Sequence, residues 1–170
     1  YDVSVEKCIF EGTDRGLRIK TRRGRGEKSV LDNIYFKNIV MKEVCMPFTV
    51  NMFYFCDPDG HSDYVQNQNK LEVNEKTPRV GKIRVRDVKC VNVKNIFACL
   101  YGLPEMPIEE IEIEDISMNF DKDENIEPIV PIMMDNFPTM YKRGIFAKNI
   151  KKLILKNIEI TGSKDDNPFM

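Results

Sequence analysis

The stretch Ile111-Glu112-Ile113-Glu114-Asp115-Ile116-Ser117-Met118 alternates apolar and polar residues for four positions, meets an Asp, and resumes with an apolar residue one step out of phase. The same eight-residue pattern recurs at Ile34–Met41 with Asn38 at the break, at Ile83–Cys90 with Asp87, and at Leu153–Ile160 with Asn157. A degenerate copy starts at Val3, with Lys7 at the break. The starts at 3, 34, 83, 111 and 153 lie 31, 49, 28 and 42 residues apart. Recurrence of one motif near 30 residues, lengthened in two intervals, marks a solenoid rather than a closed globular fold. The period of two within each copy calls for a strand, and the change of phase calls for a bend followed by a second short strand. About 28 to 31 residues suffice for one turn of three short strands, so an all-β parallel β-helix is expected over a hairpin-rich sandwich. Its inward stack should contain Phe36, Val85, Ile113 and Leu155. The Asn and Asp residues of the bend are expected to point inward and to bond to one another from coil to coil.

Two segments fall outside the repeat. Residues 57–79 are polar and aperiodic, and residues 119–144 combine an acidic start with Pro128, Pro131, Pro138 and a Met-rich run. Both read as insertions, which in solenoids can wall a binding face or simply cover the core. The reading therefore treats residues 1–170 as consecutive coils of one β-helix.

Composition limits the partners. The chain has 26 basic and 27 acidic residues, a net charge of -1, and no apolar run long enough to span a bilayer. It lacks the overall positive balance of a nucleic-acid coat protein, and no membrane partner is expected. Five cysteines show no CxxC spacing and are read as reduced, mostly buried thiols. The chain starts at Tyr1 with no initiator Met, so the β-helix is expected to be N-terminally truncated; cytoplasmic and secreted locations both stay open, as does the oligomeric state.

One local anomaly remains. Residues 15–26, RGLRIKTRRGRG, hold six Lys and Arg in twelve positions. Alternation through Leu17-Arg18-Ile19-Lys20 puts Arg18 and Lys20 on the same outward face of a strand, about 7 Å apart. An Arg fork beside a compact ammonium suits a discrete carboxylate or phosphate. Arg22, Arg23 and Arg25 are expected in a solvated loop, and a charged run of this kind is also compatible with a merely soluble face. Nucleic acid is a weaker reading, because no aromatic lies between Phe10 and Tyr35 to stack bases, and no GxxxxGK[ST] phosphate loop is present.

Three stretches carry a family likeness: CIFEGTDRGLRIKTRRGRG from Cys8, NIYFKNIVMKEVCMPFTVNMFYFCDPDG from Asn33, and YGLPEMPIEEIEIEDISMNF from Tyr101. They resemble the polygalacturonases of glycoside hydrolase family 28, particularly the bacterial branch, in their C-terminal part. The resemblance implies a right-handed single-stranded parallel β-helix that hydrolyses α-1,4-galacturonosidic bonds of pectin with inversion. It also implies that Arg18 and Lys20 bind carboxylates of an acidic polysaccharide or oligogalacturonide, and that Tyr54 lines the same substrate site. Inverting hydrolysis needs two carboxyl groups, one as acid and one to activate water. It needs no metal or organic cofactor. The family's N-T-D, D-D and G-H-G motifs do not precede Arg18 here. Asp165-Asp166 and Gly60-His61-Ser62 lie in other contexts and are read as chance, and Asp14 as a turn residue. The catalytic residues are accordingly expected upstream of Tyr1, with this segment inactive alone. A non-catalytic carbohydrate-binding or structural β-helix is the alternative, and a nucleic-acid binder a more distant one.

Overall fold

The computed structural model describes residues 1–165. The first coil holds β1 (Val3–Glu6), β2 (Ile9–Glu11) and β3 (Arg15–Lys20). The second holds β4 (Val30–Leu31), β5 (Ile34–Lys42), β6 (Met46–Asn51) and a one-turn helix α1 (Asp63–Gln66). The third consists of β7 (Arg79–Val80), β8 (Lys82–Val93) and β9 (Ile96–Tyr101), the fourth of β10 (Glu110–Phe120) and β11 (Arg143–Lys148), and the fifth of β12 (Leu153–Thr161).

Each strand pairs in parallel with its counterpart one coil away. A first sheet runs β1-β5-β8-β10-β12 with β2 beside the end of β5, a second runs β11-β9-β6-β3, and β4 pairs with β7. The register follows the repeat residue for residue: Val3 faces Ile34, Ile34 faces Ile83, Ile83 faces Ile111, and Ile111 faces Leu153. The chain is thus an all-β parallel β-helix.

The break residue of every copy occupies the left-handed region. Lys7, Asn38, Asp87, Asp115 and Asn157 have φ of 56°, 54°, 53°, 56° and 48°. A single left-handed residue shifts the inward phase by three positions instead of two, so Ile34 and Phe36 are followed inward by Ile39 and Met41, all four buried. Asn and Asp dominate the column because their short polar side chains tolerate this conformation better than other non-glycine residues. The expected inward ladder is corrected here. Asn38 and Asn157 are exposed and Asp87 and Asp115 half-buried, so backbone conformation, not a buried side-chain network, selects them. Among the described residues, one bond between neighbouring break residues exists, from Asn157 Nδ2 to Asp115 Oδ1 at 2.8 Å.

The inward stack is as the repeat requires. Phe36, Val85 and Ile113 are aligned and buried, and Leu155 continues the column half-buried in the last coil. Opposite it, Leu17, Phe48 and Ala98 align on the second sheet, and the Phe36 and Phe48 rings meet edge to face at 6.3 Å. Each fully buried Ile, Val or Phe in such a stack stabilises the fold by about 1.5–3 kcal/mol. The first coil is covered less: Val3 and Ile9 are 47% and 71% exposed on the outermost strands. Burial pushes the Cys90 thiol up to about 12 and also raises Cys99, so neither carries a reactive thiolate near neutral pH.

Substitutions at the corner test this account. Asn38→Val should lose about 1–2 kcal/mol relative to wild type, since a β-branched residue pays the full left-handed penalty. Asn38→Gly should be nearly neutral, because glycine adopts φ > 0 freely. Urea denaturation of the two variants gives the comparison, and equal losses would point to a side-chain role instead.

Candidate functional site

The basic run divides at the end of β3. Arg18 and Lys20 pair with Thr49 and Asn51 of β6, which places both cations on the outer face of the second sheet, where both are exposed. Tyr54, three residues past β6, comes to them from the next coil. Lys20 Nζ donates to Tyr54 Oη at 2.9 Å and lies 4.2 Å from the ring centroid, and Arg18 Cζ lies 5.5 Å from the same centroid. The three residues singled out from the sequence therefore form one constellation. The phenol orders the ammonium, while the guanidinium fork is held on one side by Met133, 3.1 Å from Nη2 to Sδ. Two cations with unused donors on an open face can bind a carboxylate-bearing ligand through charge-assisted hydrogen bonds.

Arg22 and Arg23 have another role, which corrects the expectation that they are solvated. Arg23 is fully buried. Its Nε and Nη2 donate to Glu105 Oε1 and Oε2 at 2.6 and 2.9 Å. Nη1 donates to the carbonyls of Tyr64, Val65 and Asn67, the last at 2.6 Å, which anchors the loop around α1. Arg22, 6% exposed, bonds Asp57 through Nε at 2.8 Å and Asp59 through Nη2 at 2.6 Å. Only Arg25 is peripheral, sharing Asp57 at 2.6 Å from a half-exposed position. Hydrogen bonds from Arg22 in first place hold the Asp57 carboxyl below its ordinary value. For Glu105 burial pushes upward, but the bonds from Arg23 and from backbone N–H groups outweigh it, so this carboxyl too is lowered.

The remaining candidates are accounted for by contacts of their own. Asp14 pairs with the adjacent Arg15. His61 stacks on Phe55 at 4.5 Å and brings Nδ1 within 2.8 Å of Asp135 Oδ1. Asp165 accepts from the Gly144 backbone N–H at 3.1 Å, while Asp166 lies outside the described residues.

The residues that the sequence reading missed lie in the segment 121–142 between β10 and β11. Asn51 Nδ2 donates to the Met133 carbonyl at 3.0 Å, and Ile132, Met134, Phe137 and Met140 are buried in or against the core. Their signal was present in β6 and β9, MPFTVN and IFACLY, which are buried at every position and so must be covered on both faces.

The class so defined is a parallel β-helix that displays a cation pair and a tyrosine together on the outer face of one sheet. The model of the glycosyl hydrolases family 28 matches residues 1–128, and the chain belongs to that family. An exopolygalacturonase of Arabidopsis thaliana is 29% identical over 117 residues, covering 68% of this chain and 24% of that protein. A polygalacturonase of Brassica napus is 28% identical over 119 residues, 70% of this chain and 28% of the relative. An endo-polygalacturonase of Pectobacterium carotovorum is 35% identical over 54 residues, 32% of this chain and 13% of that protein. The chain thus spans about a quarter of the length of the first two relatives. No solved structure matches.

Two measurements test the division of the arginines. Arg23→Ala should cost about 3–5 kcal/mol, because it strands Glu105 in a buried site, whereas Arg25→Ala should cost at most about 1 kcal/mol. Chemical denaturation of the two variants would refute the assignment if the losses were similar. The lowered Glu105 carboxyl also fixes a sign with pH. Its contribution is complete above the ordinary value of 4.5 and is lost as pH falls through the lower folded value, so acidification below that point should destabilise wild type more than Glu105→Gln.

Proposed function

We propose that this chain is the C-terminal part of a polygalacturonase-like hydrolase, of the family's bacterial branch, and that Arg18, Lys20 and Tyr54 form a carboxylate-binding part of its substrate cleft. The observation that carries the reading is the convergence of these three side chains on the open face of the second sheet, with Lys20 fixed by the Tyr54 hydroxyl at 2.9 Å. Membership of family 28 and the relatives' names support the substrate class, an acidic pectin polysaccharide, and the reading takes its links to be α-1,4-galacturonosidic. The stretch shared with the Pectobacterium enzyme supports the bacterial affinity.

In this reading the residues contribute binding and orientation. Arg18 takes a uronate carboxylate through its planar fork, and Lys20 a neighbouring carboxylate or ring oxygen through a point charge. Tyr54 holds the ammonium in place and offers its ring as a sugar platform. Holding anionic units on either side of the scissile bond in fixed register lowers the entropic part of the barrier. Acid and base are assigned to other coils of a family 28 chain, because the carboxylates around this face are committed: Asp14 to Arg15, Asp57 and Asp59 to Arg22, and Asp135 to His61.

The test is steady-state hydrolysis of polygalacturonate by the protein at its natural length. Arg18→Ala and Lys20→Ala each remove a charge-assisted hydrogen bond of about 1.5–3 kcal/mol and should lower kcat/KM by about 10- to 150-fold with unchanged melting. Arg18→Lys should also be impaired, since an ammonium lacks the fork. Near-wild-type kcat/KM in both alanine variants would remove the site from the cleft. Retained binding of polygalacturonate without release of reducing ends would identify a carbohydrate-binding module instead.

A further inference from the structure

The outer face of the second sheet is exposed at Arg18 and Lys20 of β3 and again at Lys148 of β11, and is covered on the two strands between them. Arg18 and Lys20 on edge strand β3 are exposed, but their neighbours along the helix axis are not. Thr49 and Asn51 on β6 are 2% and 5% exposed, and Cys99 and Tyr101 on β9 are 0% and 2% exposed. What covers them is the segment 121–142. Its Met133 carbonyl takes the Asn51 amide at 3.0 Å, and Phe137 packs against both Tyr101 and Phe146 with centroids 5.9 and 5.4 Å away. The space left beneath it, lined by Arg15, Arg18, Thr49, Asn51 and Met133, is about 10 Å³. That is room for at most one water and for no sugar ring. The Thr49 hydroxyl opening onto it has no protein partner.

The cover is fixed in place. Asp135 N donates to Gln66 Oε1 at 3.0 Å and its carboxylate meets His61 Nδ1 at 2.8 Å. Gln66 Nε2 in turn donates to the Phe53 and Gly60 carbonyls at 2.8 and 2.7 Å. Both insertions are therefore clasped together over β6 and β9, immediately beyond Tyr54.

We propose that this wall makes the Arg18, Lys20 and Tyr54 site a chain-end site: it accepts the terminal units of an acidic polysaccharide and bars a chain that continues past them toward β6. The proposal rests on the reading of these residues as a uronate site, and adds the direction in which the ligand can extend. A polymer bound to Arg18 and Lys20 runs away from β6, on the far side of β3, and one of its ends abuts Met133. The expected action is then removal of short units from chain ends rather than cuts in the interior.

The experiment uses the protein at its natural length and two polygalacturonates differing about tenfold in mean length, supplied at equal uronate mass well below KM. A chain-end site should act about tenfold more slowly on the longer polymer, because rate at limiting substrate follows the concentration of productive sites, here ends. Short products of fixed size should appear from the first time point, with little loss of viscosity. Equal rates on the two polymers, with mixed products and an early collapse of viscosity, would overturn the chain-end inference and leave the uronate site intact. Reducing ends from neither polymer would overturn the hydrolase reading and the inference with it. Which end is held follows from oligogalacturonides reduced with borohydride at one end or carrying a 4,5-unsaturated unit at the other. One modification should lower binding at least tenfold if the end is buried against Met133, and indifference to both would again count against a chain-end site.

Discussion

One backbone constraint organises the molecule: at the break of every repeat copy a residue takes φ near +50°, inside a long strand in four coils and between β1 and β2 in the first. It turns the strand without breaking its hydrogen bonding to the coils on either side, and lets apolar residues before and after the bend face the same interior. Because the five left-handed residues stack in one column, a one-residue slip between adjacent coils would put the bends out of line and turn apolar side chains to the wrong face. Strand register in the first sheet and the alignment of Phe36 with Val85 and Ile113 descend from this column. Segments of different length can leave the other sides of the coil without disturbing it, which is how intervals of 28 and 49 residues coexist in one helix.

This explains what was legible in the sequence. The spacing between repeat starts gave the pairing register directly, since Ile34 on Ile83 and Ile111 on Leu153 are the same positions of successive copies. The outward placement of Arg18 and Lys20 followed from two-residue alternation, which depends only on neighbours in the chain. The Asn and Asp residues were recognisable as bend formers, but the reason lies in their tolerance of positive φ, and Lys7 fills the same place with no amide to contribute. What was illegible depended on distant partners. The fate of Arg22 and Arg23 is decided by Asp57, Asp59 and Glu105, 35 to 82 residues away, and nothing within RGLRIKTRRGRG separates the buried guanidiniums from the exposed one. Likewise, the segment 121–142 lacks periodicity, and the strands it covers give only a weak sign of it, since β6 carries Thr49 and Asn51 on the covered face and β9 alone is apolar throughout.

The opposed roles of neighbouring cations also reconcile a basic run with a net charge of -1. Three acidic residues neutralise Arg22, Arg23 and Arg25, so the local excess felt by a ligand is mainly that of Arg18 and Lys20. A field confined to two side chains favours recognition of individual carboxylates over diffuse attraction to a polyanion. The Tyr54 ring and the Met133 sulfur, both within reach of these cations, narrow the choice further by fixing where each charge sits.

The bond between Arg23 and Glu105 joins the first coil to the third and skips the second. Repeat proteins ordinarily behave as chains of units coupled only to adjacent units, so that fraying at an end can advance one repeat at a time. Here the same guanidinium also grips carbonyls of the second coil at Tyr64, Val65 and Asn67. Loss of the first coil would leave both a buried carboxylate and three loop carbonyls unmatched. Three consecutive coils are thereby joined into a single cooperative block, and the strand that carries Arg18 and Lys20 is tied to coils beyond its immediate neighbour.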